Sequence, residues 1–249
     1  MIRGVISGIS AMRAQVRNQE VIANNLANAD TAAYNKDKVV FSTFNDVLMY
    51  ALRPSAFPVA LGGVSSGALV QDIETIRSVG PIENTGNPLD IALPGGQYLA
   101  VETAGGVRYT RRGDLRVSAD GYLNVGGYRV LGRNGPIKIE GSGPKSVLED
   151  GSVVVGGQTV GALTVLKFQD ESALIKEGNC LFKLTSGQPV EVESPGLVAG
   201  ALEKSSVDPV TEMVSLIYAM RTYEAAQRAV QSHDETLQQA VSRVGSVAS

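Results

Sequence analysis

Both ends of the chain carry a long stripe of residues spaced alternately three and four positions apart. In the N-terminal stretch the stripe consists of Ile2, Val5, Ile9, Met12, Val16, Gln19, Ala23 and Leu26. In the C-terminal stretch it consists of Met213, Leu216, Met220, Tyr223, Gln227, Val230, Asp234, Leu237, Val241 and Val244. This alternation keeps one seam of an α-helix turned toward a partner, because about 3.5 residues then complete one turn. At about 1.5 Å per residue each helix is roughly 40 to 50 Å long, so neither can bury its seam alone.

The N-terminal stretch also contains residues that are unusual in a helix. Gly4 and Gly8 lie four positions apart, and each costs about 1 kcal/mol of helix propensity relative to alanine. Either a neighbouring helix approaches closely there, or the first turns are frayed. At the other end Asn24, Asn25 and Asn28 are suited to a left-handed helix cap, and their amides are also able to hydrogen-bond to another subunit.

The composition of the remaining chain indicates a β-rich middle. The protein has 249 residues, of which 43% are hydrophobic, so wholesale disorder is excluded. Most of the 28 glycines lie between residues 62 and 200, where short apolar runs alternate with turn residues. We therefore predict an α+β fold, in which N- and C-terminal coiled-coil-type helices pack together and the central domain is antiparallel and β-rich.

Changes in composition divide the chain into four predicted segments. They are an N-terminal helix at 1–29, an extended segment and loop at 30–67, a β-rich domain at 68–203 and a C-terminal helix at 204–249. The loop is predicted from the proline, serine and glycine content between Arg53 and Gly67. The second helix is predicted to begin at Pro209, because aspartate is a preferred N-cap residue and Asp208 precedes a proline in the first helical position.

A weak internal repeat lies within the predicted β region. The pattern Asp-Gly-x3-Val-Gly-Gly-x2-Val occurs at residues 120–130 and again at residues 150–160. Asp-Gly and Gly-Gly supply the positive φ angles of tight turns, so the repeat predicts two copies of one hairpin. A calcium-binding loop is the alternative, but the oxygen ligands that it needs are missing from residues 125–130.

Residues that could support catalysis are few and badly spaced. The only histidine, His233, adjoins Asp234 on a predicted helix, where neighbours point about 100° apart, and is expected to be solvated. The single Cys180 excludes an internal disulfide and a cysteine-rich metal site, and we interpret it as a small buried hydrophobe. Phosphate-binding glycine motifs are absent. The sequence therefore predicts no catalytic, cofactor or metal site, and no enzyme activity.

Charge and hydropathy narrow the possible partners. The net charge of −3 gives no electrostatic reason to expect binding to nucleic acid or to an anionic membrane. The arginines that cluster in sequence are expected to lie at solvated strand and turn positions; they are Arg108, Arg111, Arg112, Arg116, Arg129 and Arg133. No apolar run reaches about 18 residues, so membrane insertion is not expected. The N-terminal stretch is amphipathic rather than a secretory signal peptide, so export would need another route.

Two terminal motifs carry a resemblance to a known family. Residues 21–41 (VIANNLANADTAAYNKDKVVF) resemble the N-terminal signature of the flagellar axial proteins, which are the rod, hook and hook-associated subunits. Residues 200–230 resemble the C-terminal signature, and residues 87–92 and 109–113 resemble the start of the rod-protein β-domain. The family usually has glycine in place of Ala33 and asparagine in place of Ser206, so the local turn and one cap hydrogen bond are expected to differ.

The resemblance implies a structural subunit of the bacterial flagellar basal-body rod. Such subunits are exported unfolded by the flagellar type III apparatus, without a cleaved signal peptide, and assemble in the periplasm into a tubular shaft that transmits torque. Their partners are copies of themselves and other rod proteins. Chain length favours the rod over the longer hook subunit. Residues 128–137 favour the proximal rod subunit, with the distal rod subunit as the alternative.

The predicted assembly interface combines the two seams with the asparagines of the first signature. Its residues are Ile2, Val5, Ile9, Met12, Val16, Asn24, Asn25, Leu26, Asn28, Met213, Leu216, Met220, Tyr223, Val230, Leu237 and Val241. An alternative of another class remains open at this point. In that alternative the chain is a soluble binding module whose two helices pair only with each other.

Overall fold

The structure is a computed structural model that describes residues 2–43, 47–53, 56–64 and 67–247. The chain forms two compact units. The helical unit contains Met1–Ala27, Asp37–Ile76 and Pro209–Ser249, and the β unit contains Asn28–Lys36 and Arg77–Asp208. The four predicted segments had other bounds. Residues 68–76 of the predicted β-rich domain belong to the helical unit, because the strand there pairs with the strand at 37–43, whereas residues 30–36 and 204–208 belong to the β unit.

The helical unit is built on the two terminal helices. Helix α1 spans Ile2–Ala27, and α2 spans Pro209–Val247, beginning at the predicted proline. The two helices pack together, which confirms the helical part of the predicted fold. Within the described residues, neither is long and apolar enough to cross a membrane.

Four strands complete the helical unit. They are β1 (Asp37–Thr43), β2 (Val47–Arg53), β3 (Ala56–Val64) and β4 (Ala68–Thr75). β1 pairs antiparallel with β4, and β2 pairs antiparallel with β3. The predicted loop between Arg53 and Gly67 is thus largely strand β3, although residues 54–55 and 65–66 lie outside the described residues. The prediction counted Pro58 and the glycines and gave too little weight to the apolar run of residues 59–61, which favours a strand.

The β unit contains seventeen short strands among the described residues. They are β5 (Ile82–Asn84), β6 (Ile91–Ala92), β7 (Gln97–Thr103), β8 (Gly106–Thr110), β9 (Leu115–Val117), β10 (Leu123–Val125), β11 (Tyr128–Gly132), β12 (Gly135–Pro136), β13 (Lys145–Val147), β14 (Ser152–Val155), β15 (Gln158–Ala162), β16 (Val165–Lys167), β17 (Leu174–Gly178), β18 (Leu181–Leu184), β19 (Val190–Glu191), β20 (Val198–Ala199) and β21 (Ala201–Glu203). A 3₁₀ turn at Glu171–Ala173 precedes β17.

Most of these strands join one antiparallel sheet. Its order is β17-β18-β8-β7-β11-β10-β9, with β12 beside β11 and with β16 between β7 and β19. A second sheet has the order β13-β14-β15, and the pairs β20-β6 and β21-β5 complete the unit. The aliphatic core includes Leu99, Leu123, Val130 and Val153, each of which is 0% exposed. The prediction of a central antiparallel β-rich region is confirmed.

The internal repeat corresponds to two hairpins. β10 and β11 form the first, and β14 and β15 form the second. Both turn on a Gly-Gly pair with positive φ angles, at 57° and 91° for Gly126 and Gly127 and at 58° and 85° for Gly156 and Gly157. Two consecutive positive φ angles define the type I′ turn that suits a two-residue hairpin loop. The hairpin interpretation is therefore confirmed.

Candidate assembly surface

The two glycines of α1 lie where α2 approaches α1 closely. A Cβ atom added at Gly8 would lie 2.5 Å from Cγ2 of Val230, and one added at Gly4 would lie 2.7 Å from Nε2 of His233. At contacts this short, a side chain on α1 would require the facing side chain of α2 to move. The absence of side chains at Gly4 and Gly8 therefore allows α2 to pack closely, which offsets their low helix propensity. This agrees with the first of the two predictions for these glycines. His233 is half-buried at this contact rather than solvated.

The same contacts show that the two helices run antiparallel. Gly4 meets His233, whereas Gly8 meets Val230 and lies near Ala226, so advancing along α1 means moving back along α2. Because α2 has 39 residues and α1 has 26, the last turns of α2 extend past the start of α1. Val241 lies in this extension and is 72% exposed.

The buried face of α2 is rotated by one residue from the predicted seam. Leu216, Tyr223, Val230 and Leu237 of the predicted seam are half-buried. Met213, Met220 and Val241, which lie between them in the predicted seam, are exposed. The residues that complete the buried face lie one position earlier in the sequence. Those buried or half-buried residues are Glu212, Ala219, Ala226, His233 and Ala240. Small alanines fit a close helix contact, whereas the prediction favoured the larger apolar residues beside them.

A second apolar stripe of α2 is exposed. Val214 and Ile217 are 63% and 53% exposed, and Val210, Met213, Tyr218 and Met220 are exposed with them. At about 100° per residue, Ile217 lies about 160° around the helix from the fully buried Ala219. The first half of α2 therefore buries one face and leaves an apolar face on the opposite side. We call residues 210–220 on this side the α2 stripe. The predicted interface included Met213 and Met220 of this stripe but not Val210, Val214 or Ile217.

Helix α1 likewise has an exposed apolar edge. Ile6, Ile9 and Val16 are 53%, 41% and 42% exposed, with Arg13 between them. A groove of about 450 Å³ separates this edge from β4, and a smaller one of about 290 Å³ separates it from Tyr223 of α2. Val5, Met12 and Leu26 are half-buried, and the side chain of Ile2 lies outside those described.

Asn25, one of the predicted interface residues, forms its hydrogen bonds within its own chain. Its side chain is 2% exposed, and its amide exchanges two hydrogen bonds with the backbone of Asp37. Nδ2 donates to the carbonyl oxygen of Asp37 over 2.8 Å, and Oδ1 accepts from the amide nitrogen of Asp37 over 3.0 Å. Asn25 thus fastens the end of α1 to β1 within its own chain. Asn24 is exposed, and Asn28 is half-buried in a turn where its carbonyl accepts from Thr31.

In the β unit, residues of the two terminal signatures meet. Tyr34 is 4% exposed and packs against Cys180 and Val207, and Lys176 lies 3.9 Å from the centre of its ring. The amide of Ser206 donates to the carbonyl oxygen of Tyr34 over 2.9 Å, and the Ser206 hydroxyl accepts from the amide of Lys36 over 3.0 Å. Burial raises the pKa of the Cys180 thiol, as expected for a small buried hydrophobe.

Ala33 occupies a conformation that usually requires glycine. Its φ angle is +52°, and its amide donates to the carbonyl oxygen of Glu203 over 2.8 Å. The left-handed conformation costs a residue with a Cβ atom roughly 1 to 2 kcal/mol. This chain therefore has a left-handed residue at the position where the resemblance predicts glycine.

A buried ion pair joins two other motif residues. Arg111 and Glu203 are 3% and 2% exposed, and Nη2 of Arg111 lies 2.6 Å from Oε2 of Glu203. Arg111 also donates to the carbonyl oxygens of Leu93 and Gln97, and Glu203 accepts from the amide of Gly80. Arg111 was wrongly predicted to be solvated, because its acidic partner lies 92 residues away in sequence.

Four other arginines of the cluster have partners within the β unit. Arg112 pairs with Asp114 over 2.7 Å, Arg133 pairs with Glu191 over 2.8 Å, and Arg108 pairs with Glu177. Arg129 lies 4.4 Å from the ring centre of Tyr122. The charges of Arg108, Arg112 and Arg133 are therefore matched by nearby carboxylates.

Comparison with known proteins supplies the context for these surfaces. Residues 7–34 match the model described as flagella basal body rod protein, and residues 198–243 match the C-terminal model of the flagellar basal body rod FlgEFG proteins. These matches cover most of α1 with its following turn, and most of α2.

Full-length relatives agree with the two models. The flagellar basal-body rod protein FlgG of Bacillus subtilis is 33% identical over 97% of this chain and 98% of its own. FlgF of Caulobacter vibrioides is 31% identical over 96% of this chain and 97% of its own. The hook-basal body complex protein FlhO of Bacillus subtilis is 27% identical over 99% of this chain and 100% of its own. On the strength of both terminal matches and these relatives, the chain belongs to the flagellar basal-body rod family.

Proposed function

We propose that this protein is a structural subunit that polymerises through its terminal helices into the tubular, torque-transmitting shaft of the rod. The observation that carries the proposal is the second apolar stripe on each helix. Packing of α1 against α2 buries one face of each, yet Ile9 and Ile217 on the other faces are 41% and 53% exposed. Exposed apolar surface on a paired helix is typical of a contact with another subunit.

The energetic role of these stripes follows from their area and position. Burying apolar surface is worth about 25 cal/mol per Å², so even a few side chains per contact favour association. In a tube the same contact recurs between every pair of neighbouring subunits, and torque would pass through all of these contacts. Its partners would be copies of itself and other rod proteins, as the names of its relatives suggest.

A substitution on the α2 stripe tests the proposal directly. Ile217→Glu places a charge on the exposed face and leaves the α1-facing residues unchanged. Val79→Glu is the matched control, since Val79 of the β unit is 52% exposed, close to the 53% of Ile217. We expect Ile217→Glu to abolish incorporation into isolated basal bodies and swimming, whereas Val79→Glu does neither. Normal incorporation of a correctly folded Ile217→Glu protein would refute the proposal.

A second candidate function has one observation in its favour. Because α1 and α2 pair within one chain, the protein could serve as a soluble binding module whose helices need no other subunit. Gel filtration and limited proteolysis separate the two functions. A compact monomer with protected termini at every concentration favours the module, and rapid trimming of both termini favours the assembly subunit.

The route and position of the subunit are part of the same proposal. We infer export by the flagellar type III apparatus without a cleaved signal peptide, followed by assembly in the periplasmic part of the rod. The proximal position stays a prediction, because relatives named FlgG and FlgF match this chain at similar identity. Tracing this chain in an image of a purified basal body would establish the position.

A further inference from the structure

The larger groove of the helical unit has the form of a receptor for a helix. It lies between α1 and β4, with Ile6 and Ile9 on one side and Leu69 on the other. Ala14, which is 4% exposed, belongs to its lining, while Ile6 and Leu69 are 53% and 43% exposed. Its volume of about 450 Å³ is large enough for several aliphatic side chains. A small residue between larger apolar ones provides the depression that a helix ridge needs.

The α2 stripe has the complementary form. Val210, Val214 and Ile217 are spaced four and three residues apart, so they form one ridge along the helix. Ile217 lies about 160° from Ala219, on the side of α2 away from the buried face. The stripe of a chain is therefore turned away from its own α1 and cannot fill its own groove.

The charges beside the two surfaces also complement each other. Arg13 and Arg17 line the groove, and Glu224 follows the α2 stripe by one turn. Arg17 and Glu224 form surface ion pairs within their own helices, with Glu20 over 2.7 Å and with Arg228 over 3.5 Å. Exposed pairs of this kind contribute about 0 to 1 kcal/mol, so they exchange readily for a pair across an interface.

We propose that the groove between α1 and β4 receives the α2 stripe of a second copy of this chain. The inference rests on the proposed function and specifies which surfaces meet. The contact joins two different surfaces of identical chains, so each bound copy still offers a free groove and a free stripe. Such a heterologous contact continues into an open polymer unless its rotation closes a ring.

Cross-linking of the full-length protein tests the pairing. The variant L69C/I217C carries one thiol in the groove and one on the stripe, and V79C/I217C is the matched control. Cys180 can stay, because it is 4% exposed and burial raises its thiol pKa. In basal bodies from cells that carry L69C/I217C in place of the wild-type protein, a short bismaleimide should give dimers, trimers and longer ladders.

Each outcome of this experiment decides the inference. L69C alone and I217C alone should stay monomeric, and a mixture of the two should yield dimers only. Dimers of L69C alone, ladders equally strong in V79C/I217C, or cross-links from L69C to a different rod protein would each overturn the assignment. If Ile217→Glu blocks incorporation but L69C/I217C gives no ladder, the groove assignment fails while the proposed function stands.

A charge exchange provides an independent measurement. Arg13→Glu and Glu224→Arg should each lower the amount of the protein in basal bodies several-fold, because like charges then face each other. The combined variant should restore incorporation, since the pair is re-formed with reversed signs. A combined variant that is as defective as the two single variants would argue against contact between these residues.

Discussion

The β unit and the helical unit differ in what happens to their apolar side chains. In the β unit, Leu99, Leu123, Val130 and Val153 of β7, β10, β11 and β14 are 0% exposed, and the charged pair Arg111 and Glu203 is buried with them. In the helical unit, Val210, Val214 and Ile217 are all more than half exposed. Both units are built from similar amounts of valine, leucine and isoleucine, so composition does not explain the contrast.

The difference lies in geometry. A sheet that folds over its own hairpins covers an apolar face with neighbouring strands of the same chain, as β10-β11 and β14-β15 do. A pair of helices covers only the face that each turns to the other, and here each helix has two apolar faces. A unit of the first kind is complete in one chain, whereas a unit of the second kind requires further subunits. The predictions below test that contrast, beginning with the largest effect.

Breaking the buried ion pair between Arg111 and Glu203 should cause the largest loss of stability, and that loss should be confined to the β unit. Glu203→Gln leaves the Arg111 charge buried without its counter-ion, which typically costs about 3 to 5 kcal/mol. Arg133→Met is the control, because Arg133 and its partner Glu191 are about half exposed and such pairs contribute about 0 to 1 kcal/mol. Urea unfolding followed by near-UV circular dichroism measures the free energy of unfolding of both variants. Equal losses for the two variants would contradict a closed β-unit interior.

Alkaline pH should weaken the β unit through Tyr98. Burial raises the pKa of Tyr98 from 10 to about 12, so the folded state holds the phenol proton more tightly than the unfolded chain. The stabilisation is complete below pH 10 and is lost as the pH rises through about 12, with a total of about 3 kcal/mol. Tyr98→Phe should remove this component of the pH dependence of urea unfolding. An unchanged slope between pH 10 and 12 would contradict the assignment.

Filling the helix contact should weaken only the helical unit. Gly8→Ala gains about 1 kcal/mol of helix propensity but forces a methyl group against Val230, and overpacking costs about 1 to 3 kcal/mol. We expect a net loss of about 1 kcal/mol in thermal unfolding followed by far-UV circular dichroism, restored by Gly8→Ala with Val230→Ala.

Gly4→Ala is the matched control for this prediction. Its added Cβ meets only the end of the His233 ring, which is able to rotate away. This variant should therefore be neutral or slightly stabilising. A Gly4→Ala variant that loses as much stability as Gly8→Ala would show that the His233 ring cannot rotate away and that the helix contact is as tight at Gly4 as at Gly8.

These contrasts also show how far the sequence alone could predict the structure. Local patterns were sufficient where the cause is local: the 3/4 spacing predicted both helices, Pro209 marked the start of α2, and the glycine pairs predicted the two hairpins. They were insufficient where the cause is a distant partner. The burial of Arg111 depends on Glu203, and the role of Asn25 depends on the backbone of Asp37.

The assembly surface shows the same limit. The spacing of Met213 and Met220 fits a seam as well as that of Ala219 and Ala226, and only the closeness of α1 favours the smaller residues. Once alanines are recognised as the inner face, the apolar residues at 210, 214 and 217 require a second partner. Sequence reasoning therefore predicted that the helices need other helices, but it did not separate the face used within the chain from the face left over.

The smallest effect concerns the turn at Ala33, where the two terminal signatures meet in the β unit. Ala33→Gly removes left-handed strain of roughly 1 to 2 kcal/mol, but it loses a buried methyl group worth about 0.8 kcal/mol and makes the unfolded chain more flexible. The net change should be near zero. Ala32→Gly relieves no such strain and should cost about 0.4 to 1 kcal/mol in urea unfolding. If Ala33→Gly instead proved the more damaging of the two, the buried methyl group rather than the backbone conformation would dominate this turn, and glycine would offer no advantage there.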